Sequence, residues 1–255
     1  MAVNVNNIES GVQLFSRVNN RNERLIHLNE KFFGDENLLN MNVEIVSDYS
    51  TDRNRLLVDF IIRSILPTTL NKNWKNCGLI FINTNFQIGV FQIIKTMDQH
   101  LKDMNVKNRK QIIEESLQNL ILLNCFNWTQ LEVTIYSLEE KIKKRPNICT
   151  LILDDITAFY WIKKQEQDML SAFMHSQKVF SLISGIIKSL NLLFVFGRTE
   201  NNESNQDKRL SQSIDFQIII SKKNDTAFEA IVRSYKSDQI NTVSFSNILF
   251  KTVFH

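Results

Sequence analysis

Apolar residues recur along the chain in two rhythms. Short dense runs occur at 43–46 (VEIV), 79–82 (LIFI), 120–125 (LILLNC), 151–153 (LIL) and 192–196 (LLFVF). Each has the length of a buried strand. Helical spacing lies between them. Residues 53–66 (RNRLLVDFIIRSIL) repeat at helical intervals and are stopped by Pro67. Residues 86–104 predict a helix with Val90, Phe91, Ile94 and Met97 on one face, and 107–118 predict another. Residues 129–144 point Leu131, Ile135 and Leu138 inward, and 165–190 read as one long helix.

The rhythm changes near the end. Residues 200–213 (ENNESNQDKRLSQS) are polar throughout and predict an exposed loop. Residues 216–220, 228–232 and 243–254 then read as strands with no helix between them. Alternating strands and helices followed by an all-strand tail predict an α/β fold. Its sheet is mostly parallel and flanked by helices, with an antiparallel meander at one edge. Residues 1–40 are polar with scattered apolar positions and predict an arm or short helices. Residues 41–255 form the core domain, with neither an internal repeat nor a second-domain linker.

Composition narrows the chemistry. The 255 residues include six glycines and two prolines, against ordinary usage of about 7% and about 5%. No two glycines are spaced to write G-x-G-x-x-G or G-x-x-x-x-G-K-[ST], so an intact dinucleotide or phosphate loop is excluded. Cys77, Cys125 and Cys149 form no C-x-x-C pair and read as buried thiols, and the four histidines have no metal-ligand spacing. A net charge of +3 does not argue for nucleic acid. The N-terminus has no apolar signal core and no run is long enough to span a bilayer, which predicts a soluble intracellular chain.

The sharpest local signal is 150–157 (TLILDDIT), an apolar strand ending in Asp154. Nucleotide-hydrolysing folds place a carboxylate at such a strand tip to hold magnesium. Many buried strands also end in an Asp that only begins a turn. The continuation DDITAFYW resembles the Asp-Ser-x-[ST]-Ala-x-Tyr stretch of the RecA-like recombinases. Other segments resemble that family in order: ESGVQLFSRV (9–18), VEIVSDYSTDRNRLL (43–57), LIFINTNF (79–86), FNWTQLEVTIYSLEEKI (126–142) and LLFVFGRT (192–199). The chain resembles a recombinase paralogue over roughly residues 9–235, without the separate N-terminal helical domain of the strand-exchange enzymes. The resemblance implies a RecA-like P-loop NTPase core.

The departures matter most. The family's phosphate loop falls on 47–54 (SDYSTDRN), with its glycines at Ser47 and Asp52, its lysine at Arg53 and its hydroxyl residue at Asn54. Glycine lets the main chain cradle phosphate, and serine and aspartate obstruct that geometry. Asp48 and Asp52 oppose a polyphosphate, and two unit charges about 4 Å apart repel by roughly 4 kcal/mol at an effective dielectric near 20. The acid that positions the attacking water falls near Asn83 or Asn85, both amides that accept no proton. The polar sensor after the fifth strand falls on Arg198 and Thr199. Of the usual set only Asp154 remains, either for a turn or, if magnesium is retained, as its ligand. The expectation is a degenerate ATP site at Ser47, Asp52, Arg53, Asn54 and Asp154, with hydrolysis lost, ATP binding weak or absent, and no other cofactor.

Two loops face DNA in the family. They fall near 161–167, with Lys163 and Lys164, and on 200–213, with Lys208 and Arg209. These four are the candidate phosphate contacts, against the plainer reading of solvated surface charges. Phe159, Tyr160 and Trp161 read as core or partner-facing residues. The resemblance implies a nuclear, non-catalytic adaptor in double-strand-break repair by homologous recombination. It would join another recombinase paralogue and assist filament assembly on single-stranded or branched DNA, with no membrane partner. Two alternatives stay open: a DNA-dependent ATPase with a diverged phosphate loop, and an interaction module without DNA contact.

Overall fold

The computed structural model describes residues 28–166, 171–188, 190–200, 208–224 and 227–246. Most of the expected arm, and the chain beyond 246, lie outside the described residues. Element order is α1 (Glu30–Phe33), β1 (Asn42–Ser47), α2 (Ser50–Ile65), β2 (Gly78–Asn83), α3 (Val90–Asp103), α4 (Arg109–Leu117), β3 (Leu120–Asn124), α5 (Trp128–Lys144), β4 (Ile148–Asp154), α6 (Tyr160–Glu166), α7 (Ala172–Lys188), β5 (Leu193–Thr199), β6 (Phe216–Lys222), β7 (Ala227–Ser234) and β8 (Gln239–Ser246).

Among the described residues the strands form one sheet in the order β3-β2-β4-β5-β1-β6-β7-β8. From β3 to β6 all neighbours are parallel, and β7 and β8 add antiparallel. The expected architecture is therefore present, edge meander included. β1, β2 and β4 are buried nearly end to end, as strands covered on both faces must be. One apolar layer joins the sheet to α1, α2, α3 and α4, and contains Val43, Ile45, Phe60, Phe81 and Val195. The other joins it to α5 and α7, and contains Ile82, Leu138, Leu153, Phe180 and Phe196. Leu28, Phe32, Phe33 and Leu38 belong to the first layer, so the stretch just before β1 packs into the core.

Several expectations shift. α2 begins at Ser50, three residues before the apolar spacing starts, and ends where Leu66 turns extended ahead of Pro67. α3 buries Ile93, Met97 and Leu101, one position round from the expected face, and Phe91 is 88% exposed. The helical pattern at 165–190 resolves into α6, starting at Tyr160, and α7, with 167–170 outside the described residues. The last described strand starts at Gln239, four residues before the expected run. The α5 face is as expected, with Leu131, Ile135 and Leu138 joined by Ile142. All three cysteines are buried and none is in a disulfide.

Candidate functional site

The C-terminal tips of β1, β4 and β5 meet where an open parallel sheet of this kind holds its ligand. β1 ends at Ser47 and α2 starts at Ser50, so only Asp48 and Tyr49 lie between strand and helix. The expected loop over 47–54 is mostly helix. The backbone N–H of Asp52 donates to the Tyr49 carbonyl at 3.1 Å, a first-turn bond. Arg53 and Asn54 lie inside the helix, and both are buried.

Arg53 turns back under the strand tips. Its Nε donates to Asp154 Oδ1 at 2.6 Å and its Nη2 to Asp155 Oδ2 at 2.6 Å. Its Nη1 donates to Ser47 Oγ and to Thr199 Oγ1, both at 3.0 Å. Four of the five guanidinium N–H groups are thereby used. Burial acts to remove the proton from Arg53, but the charges of Asp155 and Asp154 outweigh it and hold its pKa above the ordinary value.

The carboxylates are held from several sides. Asn85 Nδ2 donates to Asp154 Oδ2 at 2.6 Å. Thr199 Oγ1 donates to Asp155 Oδ2, and Thr157 donates to Asp155 Oδ1 from both N and Oγ1 at 2.7 Å. The Asp154–Asp155 peptide bond is cis, and Asp155 N donates to Thr84 Oγ1 at 2.5 Å. Burial pushes the Asp154 carboxyl above its usual range, with Arg53 opposing. Burial pushes Asp155 the same way, but Arg53, Thr199 and Thr157 prevail and hold it low.

Gly197 makes this packing feasible. A Cβ there would lie 2.2 Å from Arg53 Nε, 2.6 Å from Asp154 Oδ1 and 2.9 Å from Arg53 Cδ. The position is thus fixed by close approach of side chains.

The structure brings Ser47, Arg53 and Asp154 together. Asn54 lies beside them; its Nδ2 donates to Gln87 Oε1 at 3.1 Å, and its Oδ1 is buried with no hydrogen-bond partner among the described residues. Asp52 is half-buried and does not join the group; burial, with Asp48 nearby, raises its pKa. Of the two candidate amides, Asn85 reaches Asp154, and Asn83 donates to the Ile88 carbonyl and to Asn124. Sequence reasoning misses Asp155 and Gly197. An isolated glycine inside an apolar strand is the available signal for the second.

Arg198, next to Thr199 on β5, points to the opposite face. Its Nε donates to Glu44 Oε1 at 2.7 Å, and both side chains are fully buried. Gln217 Nε2 and the Leu210 N–H donate to Glu44 Oε2 at 3.0 and 3.3 Å. Arg198 Nη2 donates to the Lys208 carbonyl at 2.9 Å, which ties the 200–213 segment to the sheet at that residue. Burial raises the Glu44 pKa, and Arg198 opposes it.

The four candidate DNA contacts fall into two groups. Lys163 Nζ lies 5.3 Å from the Trp128 ring, and Lys164 Nζ lies 5.2 Å from Trp161 and 5.8 Å from Tyr160. Lys208 follows the β5 tip and has an exposed side chain. Arg209 stacks on Tyr235 at 4.2 Å and donates to the Ile214 carbonyl. The rest of the second loop, with Glu203 and Asp207, lies outside the described residues. Tyr160 is buried and Trp161 is 70% exposed.

Exposed aromatic residues collect on this same edge of the sheet. Tyr49 follows β1, Phe86 follows β2, Phe126 follows β3 and Trp161 lies beyond β4. Phe86 and Phe126 stack with ring centroids 4.5 Å apart and planes 12° apart. Among the described residues no helix is long and apolar enough to cross a membrane, and no group of three His, Cys, Asp or Glu could hold a metal ion.

No protein-family model matches the chain. Against characterised proteins, the chain is 26% identical over 197 residues to the mouse (Mus musculus) protein described as DNA repair protein XRCC2. The match spans 76% of this chain and 68% of the relative. The sheet order and the antiparallel edge agree with a RecA-like core.

Proposed function

We propose, from the premise that this chain is a distant XRCC2-like recombinase paralogue, that it is a non-catalytic adaptor in DNA repair by homologous recombination. Its role is to join another recombinase paralogue and to assist recombinase filament assembly on single-stranded DNA at double-strand breaks, in the nucleus. The relationship supports recombinational repair and partner proteins. One observation carries the non-catalytic half: the residue in the phosphate lysine's place is bonded to both strand-tip aspartates.

The chemistry follows from that contact. A phosphate-binding cation must point its donors outward to the ligand. Arg53 points them inward, and Asn85 supplies a donor where hydrolysis needs an acceptor of the water's proton. ATP, magnesium and hydrolysis therefore have no part in the proposed role. The exposed aromatic residues at the strand tips supply a surface for a partner subunit, and Lys163, Lys164 and Lys208 supply charge for nucleic-acid phosphate.

Mixing the purified full chain with recombinase-paralogue subunits, without nucleotide, tests the reading. A stable hetero-complex by size-exclusion chromatography with light scattering is expected, with no ATP hydrolysis by the chain alone. A chain that stays monomeric with every paralogue, or that hydrolyses ATP on DNA, overturns it.

A further inference from the structure

Two adjacent carboxylates are buried at the tip of β4, with the hydroxyls of Ser47 and Thr199 beside them. Buried like charges side by side need a cation between them. In a phosphate site that demand is met by a metal ion and a lysine whose charge the ligand shares. Here a single planar group spans the whole set. We infer that Arg53 is a tethered counter-ion standing in for the metal and phosphate ligand of this site, so that the domain closes without nucleotide and does not respond to it. The inference rests on reading 47–54 as a former phosphate-binding stretch, and it is independent of any partner.

The residues present do not fit magnesium nucleotide. Asp154 gives one oxygen to Arg53 and the other to Asn85. Asp155 gives one to Arg53 and Thr199 and the other to Thr157. Magnesium requires near-octahedral oxygen ligands at roughly 2.0–2.1 Å, and a guanidinium already lies against both carboxylates. Nor does a phosphate cradle remain, because the strand runs to Ser47 and the helix starts at Ser50.

The same geometry explains why arginine, and not lysine, can act here. The partners are four residues at the tips of three strands, and a planar fork meets them with three separate nitrogens. One ammonium nitrogen cannot reach all of them. Gly197 is the positioning residue, since any side chain there would occupy the path of Arg53 Nε and Cδ.

The test uses the full chain alone, so its outcome is separable from that of the adaptor reading. Thermal unfolding of the wild type should be unmoved by millimolar magnesium-ATP. Arg53→Ala should melt about 10 °C lower. Millimolar ethylguanidinium should raise the melting temperature of Arg53→Ala and not of the wild type, because the vacated space fits that cation. A wild type stabilised by magnesium-ATP, an Arg53→Ala chain as stable as wild type, or one that ethylguanidinium does not raise, each overturns the inference. Should Arg53→Ala not fold, nitrogen-15 spectra of the wild type decide. A slowly exchanging Arg53 Nε–H signal that magnesium-ATP leaves in place is expected, and one that exchanges fast or shifts overturns the inference.

Discussion

A Cβ on Gly197 would stand 2.2 Å from Nε of Arg53, so the glycine on β5 and the arginine on α2 exist in this form only together. Gly197→Ala is therefore expected to act on a residue far away in sequence. The added methyl must displace Arg53, which leaves two buried carboxylates without their cation. A loss of about 3 kcal/mol is expected, measured by urea unfolding with an unchanged m-value. In the Arg53→Ala background the same substitution should cost less, since the contacts with Arg53 Nε and Cδ are gone and only that with Asp154 Oδ1 at 2.6 Å remains. The coupling is readable in a double-mutant cycle.

The Arg198–Glu44 pair should behave as a unit. Removing Arg198 leaves Glu44 buried without its cation, at about 3–5 kcal/mol. Removing Glu44 leaves Arg198 with the longer 3.5 Å contact to the Glu200 carboxylate. Replacing both at once, as Glu44→Gln with Arg198→Met, should cost well under the sum of the single changes. Chemical denaturation of the four chains checks this, and additive effects would show that the pair is not coupled.

His175 predicts a pH dependence. Its ring is buried against Trp128 and Tyr160, and Nε2 lies 3.0 Å from the Ala158 carbonyl. Nδ1 is buried with no hydrogen-bond partner among the described residues. Burial lowers its pKa, assisted by the charges of Lys178 and Lys163. The unfolded chain thus binds the proton more readily than the folded one. Stability should be full above the ordinary histidine value of about 6.5 and fall as pH drops below it. Burial also lowers His100, which adds in the same direction. His175→Gln should reduce the slope of melting temperature against pH between about 6.5 and 5 without abolishing it.

Single-stranded DNA binding should respond to charge at α6. If Lys163 and Lys164 meet phosphates, Lys163→Ala with Lys164→Ala should lower the slope of log affinity against log salt by about 1.4, near 0.7 for each phosphate no longer neutralised. Lys163 is half-buried over Trp128, and Lys164 is exposed over Trp161. An unchanged slope in a fluorescence-anisotropy salt series would remove the two lysines from the DNA contact.

Partner binding should respond to the stacked pair. Phe126→Asp places a charge on an exposed ring in contact with Phe86. It should weaken a paralogue complex about 30-fold if the strand-tip edge is the interface, as removal of an aromatic anchor worth about 2 kcal/mol does. The melting temperature should stay near wild type, which separates an interface effect from unfolding.

Much of this is legible in the chain. Runs such as LIFI and LIL are long enough for strands and too short for helices, and they form β2 and β4. The all-strand tail forms the antiparallel edge. Boundaries are less legible where tertiary contacts set them. The helical spacing predicts α2 from residue 53, yet the helix begins at Ser50, and Arg53 in its first turns is bonded to Asp154. Ser47, Arg53, Asn54 and Asp154 can be named through their places in a motif. Asp155 and Glu44 cannot, because their importance lies in contacts spanning tens of residues or more. For Gly197 the local sequence offers only an isolated glycine in an apolar strand, without the partner it accommodates. Glu44 in VEIV and Arg198 in FVFGRT do leave one trace: opposite charges inside two apolar strands, which burial obliges to meet.

The two-residue link between β1 and α2 also bears on the route back to a working phosphate site. Restoring lysine at 53 alone would bare Asp155. Restoring glycine at 47 and 52 alone would leave a helical turn in the cradle's place, closed by the bond from Asp52 to Tyr49. Each single reversal lowers stability before any of them yields a ligand. On the proposed reading, loss of the phosphate site would act on this geometry as a ratchet: a lineage that had taken that path would drift onward more easily than it returned.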